Sequence, residues 1–466
     1  MRHSPVQFRF LLAFLLLAGL LAVLWAVAHY SGAPIPPQLL LAFRWLAVLA
    51  FCGYSYSRRS LTVWIVAGIL VGAEFGHDWP TTAASMQVLS IIFLRLIKTI
   101  IAPLIFSTLV VGIAGHSNLK QVGRMGIKAL IYFEVVTTIA LFIGLAAINI
   151  SKAGVGVNPP ASAATQQIQA PKQTTSELIQ HVFPENIAKS VAEGQVLQVV
   201  VFSIIFGIAL ALVEEKRRRP MLAFCESLSE TMFKFTNIVM LFAPIGVAGA
   251  IAYTVGTMGF GIIRNLLTLV ATLYAALVVF VLCVFLPVAL IARLPLKRFL
   301  KAIAEPASIA FATASSEAAL PRAMEAMEAF GVPRQMVAFV MPTGYSFNLD
   351  GSTLYLSLAS IFIAQAAGIH LSFGAQLLMV FTLMLTSKGV AGVPRATLVI
   401  LLGTVDSFHL PAWPIFIILG VDQLMDMART TINVVGNCLA TAVIARWEGE
   451  FETEAPSPAV VDAMAQ

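Results

Sequence analysis

Eight long apolar runs dominate the chain before residue 293, at 10–28, 37–55, 61–76, 86–113, 123–149, 186–212, 222–254 and 262–292. A helix of about 20 apolar residues spans the hydrocarbon core of a bilayer. Only helices or closed barrels cross a membrane, because each backbone polar group must be satisfied there. Runs this long and continuous predict an all-α polytopic membrane protein. Charged residues make up 11% of the 466-residue chain, less than half of the ~25% usual in soluble domains.

The net charge of +6 does not point to nucleic acid. Its Lys and Arg fall in short loops: Arg58 and Arg59; Lys120, Arg124 and Lys128; Lys216 to Arg219; and Arg293, Lys297, Arg298 and Lys301. These clusters recur at every second loop, so one side is basic and therefore cytoplasmic. Both termini are expected on that side of a cytoplasmic (inner) membrane. The first run follows Arg2 and Arg9 without a persuasive cleavage site, so it reads as a retained span and not a signal peptide. With the second run it makes a transmembrane hairpin over 1–60. The polar stretch 150–180 falls outside, and the acidic tail 447–466 reads as flexible. Cys52, Cys225, Cys283 and Cys438 lack metal-ligand spacing and read as small apolar fillers.

From residue 297 the runs become short and interrupted. The stretch 298–313 ends in a polar tip, TASSEAALP (313–321), and 322–330 continues as a second short helix. The stretch 335–347 meets NLDGST (348–353), a turn signal, and resumes at 354–368. The stretch 373–386 meets SKGVAGVPRAT (387–397) and returns over 398–404. Backbone that leaves helical form at membrane depth is tolerated only against protein or a water-filled cavity. Two interrupted segments in corresponding places, entering from opposite sides, form an inverted repeat and point to a transport site.

The last run carries a polar stripe. Asp422, Asp426, Arg429, Thr430, Asn433 and Asn437 fall within an arc of about 100° on a helix. Such a stripe must face protein, water or a ligand. Arg429 reads either as an internal ion pair with Asp426 or Asp422, or as a receptor for a substrate carboxylate. Two acids beside one base leave a negative charge that an ammonium group or a cation could meet. Asn348 and Asp350, at the helix break, could hold a small cation with free carbonyls, or could merely bend the chain. Ser315 and Ser316 could bind an anion or simply cap a helix. Thr137 and Thr138 could serve a ligand or bond their own backbone, and Glu134 beside them is a candidate proton site. No nucleotide-binding, zinc-protease or serine-hydrolase motif is present, so enzymatic chemistry is not expected.

NLDGSTLY (348–355), SKGVAGVP (387–394) and DMARTTINVVGN (426–437) together resemble the dicarboxylate/amino acid:cation symporters, the family of bacterial proton–glutamate carriers and excitatory amino acid transporters. The resemblance covers roughly 61–448. It implies eight family transmembrane helices plus two re-entrant hairpins (297–330 and 372–408), with the 1–60 hairpin as an addition. It implies a homotrimer, with a scaffold over 61–122 and 182–257. A transport domain over 123–149 and 262–446 would move as an elevator.

By motif, Arg429 would bind a side-chain carboxylate and Asp426 an amino group. Thr430, Asn433 and Ser352 would line the pocket, with Ser316 and the backbone near Val393 on the α-carboxylate. Cation-coupling positions would be Thr137, Thr138, Gly344, Ser346, Asn348, Asp350, Ser387, Val390, Asn433 and Asn437. The family's sodium-coupled members carry Asp where this chain has Asn437, which leans toward protons, with Glu134, Asp350 and Asp422 as carrier candidates. Leu356 stands where the animal transporters place a proton-carrying Glu. The expected partners are an acidic amino acid, H⁺ and/or Na⁺ as coupling ion and the lipid bilayer, with no organic cofactor and no transition metal. A C4-dicarboxylate symporter of the same fold is the alternative, disfavoured because that branch lacks the carboxylate at Asp426. An ion channel is a more distant one.

Overall fold

The computed structural model describes residues 5–31, 36–114, 119–157, 183–193, 196–387, 396–408 and 410–451, and the described residues are helical with no strand. Seven of the described helices are long and apolar enough to cross a membrane, or eight if one bent pair counts as a single span. The protein is therefore a multi-pass membrane protein.

The amino-terminal hairpin is α1 (Pro5–Ser31) and α2 (Pro37–Arg58). It is fastened to α3 (Leu61–Asp78) by charged side chains. Arg44 on α2 pairs with Glu74 at 3.1 Å and with Asp78, and the Trp45 indole N–H donates to Asp78 at 2.8 Å. A short helix α4 (Pro80–Ser85) leads into α5 (Gln87–Ala114), and α6 is Leu119–Ser151. Then come α7 (Ile187–Ala192), α8 (Val196–Leu212), α9 (Glu215–Met240) and α10 (Ala243–Met258).

Glycines set how closely α10 packs. Gly68, Gly72 and Gly76 of α3 abut the backbone carbonyls of Pro244, Ala248 and Ala252 in register, leaving no room for a Cβ. Small residues at four-residue spacing let membrane helices approach at backbone distance. Gly72→Leu is expected to destabilise the fold by about 1–3 kcal/mol or more, the cost of overpacking. Gly19→Leu, whose Cβ would meet nothing within 4 Å, is expected to be neutral. Thermal unfolding of the two variants side by side checks this; equal midpoints would refute the close-packing account.

Two expectations need correction. The run 222–254 is not one straight helix: α9 and α10 meet at a 49° bend. Pro244 lacks the N–H that would continue the ladder, and the chain turns through three-residue bonds from Leu241 N to Ile238 O and Phe242 N to Val239 O. The basic clusters are also not all in loops, since Lys216 to Arg219 lie in the first turns of α9, and Lys120, Arg124 and Lys128 in α6.

The later helices build the centre. They are α11 (Ile262–Phe280), continued by a π turn (Val281–Phe285) into α12 (Leu286–Ile291), α13 (Leu296–Thr313), α14 (Ser316–Phe330), α15 (Arg334–Phe347), α16 (Asp350–Ala366), α17 (Phe373–Thr386), α18 (Ala396–Ser407) and α19 (Trp413–Glu448). α13 and α14 form a tight hairpin turned by Ala314 in the left-handed region, φ 51°. α17 and α18 pack together; their connection, with most of the SKGVAGVPRAT motif, lies outside the described residues. α16 is buried along nearly its whole length, between α6, α11, α17, α18 and α19. The α15–α16 break is shorter than expected: only Asn348 and Leu349 leave helical form, and Asp350, Gly351 and Ser352 already belong to α16.

Candidate functional site

The stripe on α19 closes against the broken end of α16. Asp422, Asp426, Arg429, Thr430, Asn433 and Asn437 are all buried, as the helical spacing predicts. Arg429 is fully enclosed and held by both acids at once. Its Nη1 donates to Asp422 Oδ1 at 3.0 Å and its Nε to Asp426 Oδ1 at 2.9 Å. Thr430 Oγ1 donates to the same Asp426 oxygen at 3.2 Å. The guanidinium carbon lies 4.1 Å from the centre of the Tyr355 ring, and the Tyr355 hydroxyl donates to Asp422 Oδ1 at 3.1 Å. Arg429 Nη2 is a buried donor with no hydrogen-bond partner among the described residues.

The structure thus realises the internal ion pair and leaves Nη2 as the guanidinium nitrogen outside it. Burying charge is tolerated when it is paired. With both acids ionised, this cluster carries one net negative charge.

One turn along α19, Asn433 organises the start of α16. Its Oδ1 accepts from Gly351 N at 2.8 Å and Ser352 N at 3.2 Å, and its Nδ2 donates to Ser352 Oγ at 2.9 Å. A side-chain amide thereby satisfies helix-terminal N–H groups that would otherwise be orphaned. The crossing is close because Gly351 abuts the Arg429 carbonyl and Gly436 abuts the Asp350 carboxylate. Farther along, Asn348 Nδ2 donates to Asp350 Oδ2 at 3.2 Å and to Asn437 Oδ1 at 3.3 Å. Gly344, whose carbonyl accepts from Asn348 N at 2.7 Å, makes room for the Asn437 side chain. Asn348 Oδ1 is buried without a partner among the described residues. A hard oxygen acceptor beside a carboxylate at a helix break suits a small cation.

The remaining residues divide. Ser316 is buried at the first turn of α14, which packs on α19, while Ser315 caps that helix by accepting from Ala318 N at 3.3 Å. Ser387 is buried at the end of α17, its hydroxyl donating to Met384 O at 3.3 Å. The Thr137 hydroxyl donates to Phe133 O, one turn back on its own helix, at 2.6 Å, the backbone-bonding alternative. Thr138 and Glu134 are half-buried on α6. Val390, Val393 and the side chain of Ser346 lie outside the described residues. Residue-type reasoning missed Tyr355, Gly351 and Gly436. Tyr355 stands three residues after Ser352 on the same helix face, a signal that was available.

A family model described as the sodium:dicarboxylate symporter family matches residues 61–447. The chain belongs to that family. It is 43% identical over 398 residues to a proton/sodium-glutamate symport protein of Bacillus caldotenax, covering 84% of this chain and 94% of that one. It is 43% identical over 402 residues to the proton/glutamate-aspartate symporter of Escherichia coli K12, covering 83% and 92%. It is equally, at 43% over 399 residues, similar to C4-dicarboxylate transport protein 2 of Mesorhizobium japonicum, covering 84% and 90%. Overall identity therefore does not choose between amino acid and dicarboxylate within the symporter family. Helices α1 and α2 precede the matched region.

Proposed function

We propose that this symporter imports L-glutamate and/or L-aspartate across the cytoplasmic (inner) membrane, coupled to H⁺ and/or Na⁺, with protons favoured. The observation that carries the amino-acid reading is Asp426, a buried carboxylate directly beside the Arg429 guanidinium. A substrate with both an ammonium and a carboxylate answers both groups. A plain dicarboxylate would meet Asp426 as a like charge. The substrate's side-chain carboxylate takes Arg429 through the donor Nη2, its ammonium takes Asp426, and Ser352, Thr430 and Asn433 line the pocket. Ser316 and the segment around Val393 hold the α-carboxylate.

The cation side comprises Gly344, Ser346, Asn348, Asp350, Asn433 and Asn437, with Thr137, Thr138, Ser387 and Val390 as the further family positions. Asn437 supplies an amide where a carboxylate would strengthen a sodium site, which supports proton coupling. Asp422, Asp350 and Glu134 are the carrier candidates. The same reading assigns 61–122 and 182–257 to a trimeric scaffold. It assigns 123–149 and 262–446, with re-entrant hairpins 297–330 and 372–408, to an elevator-type transport domain. Eight family spans, the added 1–60 hairpin and cytoplasmic termini complete it. Transport of this kind needs no covalent step.

The second reading, a C4-dicarboxylate symporter, is favoured by identities of 43% and 42% to proteins of that name. Purified protein in proteoliposomes decides. An imposed inward proton gradient without sodium is expected to drive glutamate or aspartate uptake that an uncoupler abolishes. A strict sodium requirement would overturn proton coupling, and uptake of succinate without either amino acid would establish the second reading.

A further inference from the structure

A cavity of about 590 Å³ opens where the carboxyl-terminal ends of α6 and α16 meet the start of α17. It is remote from the Arg429 cluster: Gln365 at its wall is thirteen residues along α16 from Ser352, roughly 20 Å at the helical rise. Its volume falls within the ~300–1,000 Å³ range of small-molecule sites.

The walls are fixed by side-chain amides that spend their hydrogen bonds on the protein. Asn149 Nδ2 donates to Gln376 Oε1 at 2.8 Å and to Leu145 O at 2.8 Å, and Gln376 Nε2 donates to Leu371 O at 3.1 Å. Gln365 accepts from Gly154 N at 3.2 Å and donates to Ile148 O at 3.2 Å. Asn265 holds the turn after α6 by donating to Ala153 O at 2.8 Å and Val155 O at 3.2 Å. That turn starts at Lys152, in the left-handed region at φ 51°.

Two basic side chains, Lys152 and His370, line the cavity. None of its lining residues is acidic. Neither side chain has a hydrogen bond or ion pair among the described residues, in contrast to the amides around them. The carbonyl ends of α6 and α16 account for basic residues at this place. They do not account for a preformed hollow between them.

We propose that this cavity is a second ligand site, for an anionic oxygen group, carboxylate or phosphate, held by Lys152 and His370. Its occupant touches α6, α16 and, through the wall at Gln376, α17. It therefore braces the first arm of the second interrupted hairpin against the two helices behind it. The site does not depend on what Arg429 binds. The anion has two sources, a free organic acid or the headgroup of an anionic phospholipid.

The test is calorimetric titration of citrate into the full-length protein in detergent, comparing the wild type, K152Q/H370Q and R429C/D426S, which removes the central cation together with one of its two acids. Citrate is expected to bind wild type and R429C/D426S alike, and at least tenfold more weakly to K152Q/H370Q. Lys152 and His370 are exposed, and gel filtration checks that both variants are folded. Loss of citrate binding in folded R429C/D426S would place it in the central cluster and overturn the proposal. So would equal binding to K152Q/H370Q, or no binding to wild type. Repeating the titration in phosphatidylglycerol and phosphatidylcholine nanodiscs separates the sources. Weaker citrate binding in phosphatidylglycerol alone assigns the site to a lipid headgroup; equal binding in both assigns it to a soluble acid. Glutamate uptake into phosphatidylcholine liposomes without citrate, where neither anion source is present, is expected to be the same for K152Q/H370Q as for wild type. That separates failure here from failure of the transport reading.

Discussion

Arg429→Cys is expected to cut glutamate and aspartate uptake by roughly 100-fold or more. Removing one partner of a buried, hydrogen-bonded charge pair costs about 2–5 kcal/mol, and each 1.4 kcal/mol is about tenfold. In this protein the loss is compounded. Arg429 is the shared partner of Asp422 and Asp426, so the cysteine leaves two buried carboxylates without their cation. Part of the effect would then be instability and not loss of recognition. R429K, which keeps a cation beside Asp422 and Asp426 but not the planar fork, keeps the two apart: it is expected to give folded protein at wild-type yield and still lose most acidic amino-acid uptake. Uptake of a neutral amino acid by R429C would place the guanidinium at the substrate's side chain. Glutamate uptake at the wild-type rate in R429C would end the receptor role.

Asp426→Ser is expected to change what is carried. The substitution removes the acceptor shared by Arg429 Nε and Thr430 Oγ1, yet Asp422 still pairs Nη1 at 3.0 Å. The guanidinium therefore keeps a counter-ion and the cluster becomes neutral. Amino-acid uptake is expected to fall by roughly 30-fold or more, the lower end of the same buried-pair cost, while succinate uptake is retained or gained. Uptake of labelled aspartate and succinate, measured in parallel, reads the outcome. Unchanged aspartate transport would remove Asp426 from the ammonium site. Loss of both substrates would make it only a positioning partner of Arg429.

Much of this arrangement is legible in the amino-acid order. Polar residues in an apolar helix are costly, so their 3.6-residue periodicity identified the face of α19 that is in fact buried. Asn and Gly in NLDGST marked a break between α15 and α16, although Asn433 from a distant helix caps α16 so well that only two residues leave helical form. The bend at 240–243 was obscured because hydropathy continues unchanged across it; only Pro244 signalled it, and prolines 103, 220, 306, 321 and 342 lie inside helices. Spacing alone also could not decide Arg429's partners. Asp426 and Asp422 lie one and two turns back on the same face, and holding both at once depends on the side chain's path and on Tyr355 beneath it. Tyr355 shares the Ser352 face of α16, but its contact with Arg429 joins two distant segments and cannot be read from the spacing within either.

Asn433 has a thermodynamic consequence. One amide group spans the two halves of the cluster: it shares a helix face with Arg429, grips Gly351 and Ser352, and through the first turn of α16 is joined to Asp350 and Asn348. A solute that shifts this amide changes the free energy of whatever occupies the other half. Linkage requires the reverse effect to be equal, so the factor by which a cation tightens the amino acid is the factor by which the amino acid tightens the cation. In the proposed site, Asn433 is the group through which that reciprocity would pass.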